Sequence, residues 1–138
     1  KAVYQMFKEA SGFYDGIGCK AGCFIGNIAL EMSDINEAFR ERVSRFFKEW
    51  ASGMADCLNR AKARGYFDSR LDSAATAESI VSLYEGAIML ARTQRDAKIF
   101  LRVGKIARSL LEQHRPLKSK EDNNHGTQNT LRVLTHRA

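Results

Sequence analysis

The sequence predicts an all-α domain of about five helices. Pro116 is the single proline, so residues 1–115 contain no residue that breaks a helix in this way. Ala, Leu, Arg, Glu and Lys, which favour helices, are abundant, whereas β-branched residues are few and scattered. Apolar residues also recur at intervals of three and four, which is the spacing of an amphipathic helix. These observations favour helices over a sheet.

The first two predicted helices differ in how much of their surface is apolar. Residues 1–14 form a helix with one apolar face, which carries Val3, Met6, Phe7 and Ala10. The glycine-containing stretch 11–18 then predicts a turn. The second helix, over residues 20–32, is apolar on nearly every side, so we expect it to be buried on all sides. Within it, Gly22 and Gly26 would let a neighbouring helix or a ligand approach closely.

A long third helix follows. Asp34 is a good N-cap residue, and Glu37 three positions later would complete a capping box. The helix should then run to Arg64, with Gly65 as its C-cap. Its apolar residues recur at spacings of three and four: Phe39, Val43, Phe46, Phe47, Trp50, Met54, Cys57, Leu58 and Ala61.

The last two helices are predicted over residues 73–93 and 96–114. Asp72 or Ser73 should cap the fourth helix, and Asp96 should cap the fifth. The fourth helix has only a narrow polar stripe, made of Glu78, Ser82, Glu85 and Arg92. Pro116 ends the helical domain, which we expect to cover residues 1–115. Residues 116–138 are polar and rich in turn formers, and we expect them to form a flexible tail.

These last two helices carry more apolar surface than we expect one chain to hide. Each has two apolar stripes or one very wide stripe, and the second stripe would face water in a monomer. A homodimer that joins the last two helices of each copy into a four-helix bundle would bury this surface. The alternative is that other helices of the same chain cover both stripes. The expected interface residues are Ile80, Tyr84, Ala87, Ile88, Ala91, Ile99, Val103, Ile106 and Leu110.

Composition and charge argue against several classes of function. The net charge is +6, but basic residues alternate with carboxylates, which indicates a solvated surface more than a phosphate-binding stripe. No stretch is apolar and long enough to span a membrane, and the first residues do not resemble a signal peptide. The three cysteines are an odd, small number, which favours a reducing cytoplasm over a disulfide framework.

Several segments carry a family resemblance through their order and spacing. Residues 22–27 read GCFIGN and are followed by Ala29-Leu30-Glu31, which is similar to a GCLLGN-x-A-x-E segment. Later landmarks are ARG at 63–65, YEGA at 84–87 and LAR at 90–92. Together these segments resemble the C-terminal, effector-binding domain of TetR-type bacterial transcriptional regulators, over residues 1–115.

The resemblance implies a function as well as a fold. In this family an N-terminal helix-turn-helix domain reads operator DNA, while the C-terminal helices enclose a small-molecule effector and dimerise. The chain would then be the ligand-binding and dimerisation domain of a cytoplasmic repressor. We expect its DNA-binding domain to be absent from this chain, so that it contacts operator DNA only through that missing part.

By the same resemblance, an effector pocket would lie between the first three helices and the fourth. Aromatic and methionine side chains would form an adaptable wall, and Asn27 or Tyr84 could orient a polar group of the ligand. For each residue alone, core packing is the alternative, because helically spaced aromatic residues usually pack in a core. The expected lining residues are Phe7, Phe24, Asn27, Phe47, Trp50, Met54 and Tyr84.

Other chemistry finds little support in the sequence. Cys19 and Cys23, with Cys57, could form a thiol-based redox or metal sensor, but there is no CxxC motif and the histidines lie near the C-terminus, so inert buried thiols are favoured. No Ser/His/Asp order, P-loop or HExxH motif is present, and we predict neither an enzyme nor a cofactor. Two alternatives remain beside the regulator: a dimeric helical adaptor without a ligand, and an enzyme that uses Cys23 or Tyr84.

Overall fold

The structure, a computed structural model, describes residues 1–116, and within them it forms five α-helices and no strand. The helices are α1 (Ala2–Gly16), α2 (Phe24–Met32), α3 (Glu37–Ala63), α4 (Ser73–Gln94) and α5 (Lys98–Glu112). The predicted all-α class is therefore confirmed. Helix α4 packs against both α3 and α5, α1 packs against α5, and α2 packs mainly against α3. None of the helices within residues 1–116 is long and apolar enough to cross a membrane. The predicted tail, apart from Pro116, lies outside the described residues.

The first turn of the chain comes later than predicted. Helix α1 runs through Ser11 and Gly12 to Gly16, because the Ser11 hydroxyl is buried and donates a hydrogen bond to the Ala97 carbonyl oxygen. The chain breaks instead at Gly18 and Cys19, which both have positive φ angles. Helix α2 consequently begins at Phe24, not at Lys20.

The predicted capping box of α3 is wrong. Asn36, not Asp34, caps this helix, and its side-chain oxygen accepts a hydrogen bond from the Phe39 N–H at 3.2 Å. Glu37 is the first helical residue and pairs with Arg40 on the helix surface. The reason is that the turn after α2 continues to Asn36, whose N–H donates to the Met32 carbonyl oxygen, so the helix starts later.

The other predicted helix ends agree with the structure to within one or two residues. Gly65 follows the last residues of α3 with a φ of +75°. Asp72 caps α4 by accepting hydrogen bonds from the Ala74 and Ala75 N–H groups. The Asp96 carboxylate accepts a hydrogen bond from the Lys98 N–H at the start of α5, although the cap position itself is Ala97.

An aromatic cluster at the centre of the fold joins four of the five helices. The Tyr84 ring of α4 lies 5.3 Å from the Phe7 ring of α1, 5.6 Å from the Trp50 ring of α3 and 5.9 Å from the Phe100 ring of α5, between centroids. The contacts are edge-on or tilted, as aromatic quadrupoles favour. Phe7 and Phe100 are completely buried.

Helix α2 is much more exposed than predicted. No residue of this helix is fully buried, and the side chains of Phe24 and Leu30 are 74% and 81% exposed. The expectation that α2 is buried on all sides is wrong for the single chain. A helix of nine residues that packs mainly against one neighbour can cover only one of its faces.

Gly104 allows α5 to approach α1 closely, and this contact gives a test of the fold. A Cβ added at Gly104 would lie 2.6 Å from the Cβ of Phe7, which is fully buried and cannot move away. Gly104→Ala should therefore lower the free energy of unfolding by about 1–3 kcal/mol, measured by urea denaturation. Gly53→Ala is the control, because nothing lies within 4 Å of its added Cβ. It should raise stability by roughly 0.5–1 kcal/mol, and equal effects of the two changes would contradict the packing described.

Candidate functional site

A cavity of about 500 Å³ opens between α2 and α4, beside Phe47 of α3. Most of its wall is apolar, and a few polar side chains reach it, which is the usual composition of a small-molecule site. Its lining residues are Gly22, Cys23, Gly26, Asn27, Ala29, Leu30, Phe47, Glu85, Gly86, Ile88, Met89, Arg92 and Thr93.

Two glycines of the α2 region bring its backbone against charged side chains of α4. A Cβ added at Gly26 would lie 2.7 Å from Oε2 of Glu85, and one added at Gly22 would lie 2.9 Å from Nη1 of Arg92. The close approach predicted for these glycines therefore exists, and the neighbour is α4. Any larger residue at either position would push a charged side chain out of its present place.

Glu85 is the most unusual polar group in this cavity. Its Oε1 atom is buried and has no hydrogen-bond partner among the described residues. Burial raises the pKa of the Glu85 carboxyl above its ordinary value, and the adjacent Cys23 thiol offsets part of that rise. The sequence places Glu85 on the narrow polar stripe of α4, and in the structure its side chain lies against Gly26 of α2.

The cysteines are arranged in a way that bears on the thiol alternatives. Cys19 is buried, Cys23 is half-buried at the cavity and Cys57 is exposed, so Cys57 is not the buried thiol expected from the sequence. Burial raises the pKa of the Cys23 thiol, which favours the unreactive protonated form. Within residues 1–116, no group of three potential metal ligands comes together.

The predicted pocket residues divide between the cavity and the core. Asn27 and Phe47 line the cavity. Phe7, Trp50 and Tyr84 belong instead to the central aromatic cluster. The remaining two also lie outside the lining, since Met54 packs against the core and Phe24 points mostly to solvent.

Sequence reasoning missed Glu85 and Arg92 as cavity residues. Both belong to the narrow polar stripe predicted on α4, and charged residues on a helix usually face water. The available signal was their spacing of seven residues, which puts them on one face of α4 about 10 Å apart. The matching pair of glycines in the α2 region indicated that such a face could be approached closely.

The residues predicted for a dimer interface also divide into two groups. Five of them are buried inside this chain, which corrects their assignment to a contact surface: Ile80, Ala87, Ile88, Ala91 and Ile99. Tyr84 is held in the aromatic cluster. Val103 and Leu110 are partly exposed, and Ile106 is 57% exposed. Val103 shares a second groove, of about 630 Å³, with Leu83, Gly86 and Leu90 of α4.

Comparison with known proteins gives a consistent set of matches. Residues 1–106 match the family described as transcriptional regulator LmrA/YxaF-like, C-terminal domain. The HTH-type transcriptional repressor DhaR of Mycobacterium sp. (strain GP1) is 25% identical over 75 residues, which are 54% of this chain and 38% of that protein. The transcriptional regulator AcuR of Cereibacter sphaeroides is 30% identical over 77 residues, which are 56% of this chain and 35% of that protein. No solved structure gives a significant match.

Two further points describe these relatives. The chain spans little more than a third of the length of the curated relatives that it matches. Both relatives are named as transcriptional regulators and neither as an enzyme.

The unpartnered carboxyl predicts a pH-dependent effect on stability. Because the pKa of Glu85 is raised in the folded state, the folded protein loses stability as pH rises above the ordinary carboxyl value of 4.5. Glu85→Gln cannot ionise, so it should raise the free energy of unfolding at pH 7 by on the order of 1 kcal/mol, and the gain should vanish in acid.

Urea denaturation at a series of pH values measures this difference, and Glu49→Gln is the control because Glu49 is exposed on α3 and lines neither the cavity nor the second groove. A loss of stability in Glu85→Gln at pH 7, or an equal gain in the control, would contradict the account of Glu85.

Proposed function

Since the chain belongs to the TetR family of transcriptional regulators, as an LmrA/YxaF-like C-terminal domain, we propose that it binds a small-molecule effector and dimerises. Residues 1–115 would form this unit within a bacterial cytoplasmic repressor, and residues 116–138 would lie outside it. We propose no catalytic role and no cofactor. The observation that carries the proposal is the cavity between α2 and α4.

The cavity favours a ligand-binding domain over an adaptor without a ligand. An adaptor needs only a filled core, and the aromatic cluster around Tyr84 already supplies one. A separate apolar space with a few polar side chains serves no packing purpose and weakens the fold. Asn27 and Phe47 remain our proposed contacts, and Glu85 and Arg92 join them.

The outer face of α4 and α5 supports a homodimer. On α4 it presents Leu83, Gly86 and Leu90, and on α5 it presents Val103, Ile106 and Leu110. Leu90 and Ile106 are large apolar side chains with much of their surface in water. Packing the same face of a second copy over them would form the four-helix bundle expected from the sequence.

Helix α4 offers a physical link between the two proposed contacts. One side of the helix, with Glu85 and Met89, lines the cavity, and the other side, with Leu83 and Leu90, forms the outer face. Gly86 lies at the border and lines both spaces. A ligand that moves α4 would therefore change the dimer geometry as well.

We propose that operator DNA is read by a helix-turn-helix domain outside residues 1–138. The name of DhaR, an HTH-type transcriptional repressor, is consistent with such an arrangement in a relative. Ligand binding in the cavity would then alter the spacing of two DNA-reading domains through α4. An intact protein that carries both parts should lose or gain operator affinity when its effector is added.

Blocking the cavity tests the ligand-binding proposal. Methylnaphthalene, an uncharged apolar probe, should raise the melting temperature of the protein, because a compound that binds only the folded state stabilises it. Ala29→Phe places an aromatic ring in the cavity and should abolish that rise. Ala38→Phe adds the same ring at an exposed residue outside the lining and should leave the rise intact. If both variants keep the rise, the probe binds elsewhere.

The proposed dimer face can be tested by introducing a charge. Ile106→Glu should convert the dimer to a monomer in analytical ultracentrifugation, since a carboxylate in an apolar interface lacks a partner. Ile35→Glu is the control, because Ile35 is an exposed apolar residue between α2 and α3, away from this face. An unmodified protein that sediments as a monomer at high concentration would refute the dimer. Dissociation by Ile35→Glu alone would move the interface to another surface.

A further inference from the structure

Neither the aromatic core nor the helix packing explains why Oε1 of Glu85 is buried without a hydrogen-bond partner among residues 1–116. Several other carboxylates of the described chain have basic partners at the surface, as Asp68 has Arg70, Asp96 has Arg102 and Glu112 has Arg108. Glu85 has no such partner among residues 1–116, and its Oε1 atom is buried. A buried acceptor without a donor destabilises a fold, so a donor from outside the chain would remove this cost.

The neighbours of Glu85 satisfy its carboxyl only in part. The Cys23 thiol lowers the pKa of Glu85 a little, but a thiol is a weak donor, and Oε1 has no hydrogen-bond partner within residues 1–116. Arg92 lies two helical turns away, about 10 Å along α4, and its guanidinium lies against Gly22. Glu85 lines the cavity, so a molecule bound there could supply the donor.

We propose that the cavity binds an apolar molecule whose polar head, a hydroxyl or an ammonium group, donates a hydrogen bond to the carboxylate of Glu85, which lines the cavity. This inference rests on the proposed ligand-binding function and adds the chemical class of the ligand. The body of the ligand packs against Leu30, Phe47 and Met89, which are apolar residues of the same cavity lining. A head that only accepts hydrogen bonds, such as a carboxylate, meets a like charge at this end of the cavity.

Arg92 makes the prediction about anions testable. Arg92 lines the same cavity, and a carboxylate of a ligand would form an ion pair with its guanidinium. An anionic ligand would therefore depend on Arg92 and not on Glu85, and a donor-headed ligand would depend on Glu85. The two dependences can be measured separately.

The experiment uses four probes with one body and different heads: naphthylmethanol, naphthylmethylamine, naphthoate and methylnaphthalene. Their dissociation constants are measured by calorimetry for the unmodified chain, Glu85→Leu, Glu85→Gln, Arg92→Leu and Glu49→Gln. The last variant is the control, since Glu49 is exposed on α3 and lines neither the cavity nor the second groove.

We expect the alcohol or the amine to bind the unmodified chain about tenfold or more tightly than methylnaphthalene, and Glu85→Leu to remove that advantage. Glu85→Gln distinguishes the two heads. A glutamine oxygen still accepts from the alcohol, so the alcohol keeps its affinity, whereas the amine loses its charged partner and weakens. Glu49→Gln should change none of the four constants.

Different results would overturn the inference and the proposed function. If all four probes bind equally, or if Glu85→Leu leaves the alcohol and the amine unchanged, the cavity binds ligands but Glu85 does not select them. If naphthoate binds most tightly, the inference is wrong, and loss of that affinity in Arg92→Leu would identify Arg92 as the anchor. If no probe binds, including methylnaphthalene, the ligand-binding function itself fails.

Discussion

The contacts of one aromatic side chain, Tyr84, hold the described fold together. From α4 its ring reaches Phe7 of α1, Trp50 of α3 and Phe100 of α5, so four helices share a single point of contact. Gly104 of α5 has no side chain, so α5 lies close to α1 and Phe7 is completely buried. Aromatic side chains from four helices therefore fill this centre. The cavity lies on another side of α4, between α4 and α2.

Helix α4 therefore has three different environments around its circumference. One face is buried in the core, one lines the cavity and one carries the exposed apolar residues that we assign to a second copy of the chain. This arrangement explains why the helix looks apolar on so many sides in the sequence. It also means that a shift of α4 changes all three environments together, since a packed helix moves as a unit.

The cavity combines features that a fold selected for stability alone would avoid. It leaves space unfilled and keeps a carboxyl oxygen without a partner, and burial raises the pKa of that carboxyl. Titratable groups with perturbed pKa values in concave, apolar surroundings are typical of functional sites. Glu85 is therefore a better candidate for a ligand contact than the aromatic residues of the core. The exposed side chains of α2, Phe24 and Leu30, belong to the same region, where the chain forms a loosely covered edge.

The sequence by itself determined the class of the fold, the number of helices and most of their ends. The evidence was local: apolar residues at helical spacing, caps such as Asp72, and a proline-free run to Pro116. The order of the GCFIGN, YEGA and LAR segments also carried the family. Tertiary structure decided which side of each helix faces the interior, and this corrected the sequence at Phe24, Glu85 and Ile80. Helical periodicity shows that a helix has an apolar side, but neighbouring helices decide which apolar side is covered and whether a charged residue meets water or a cavity.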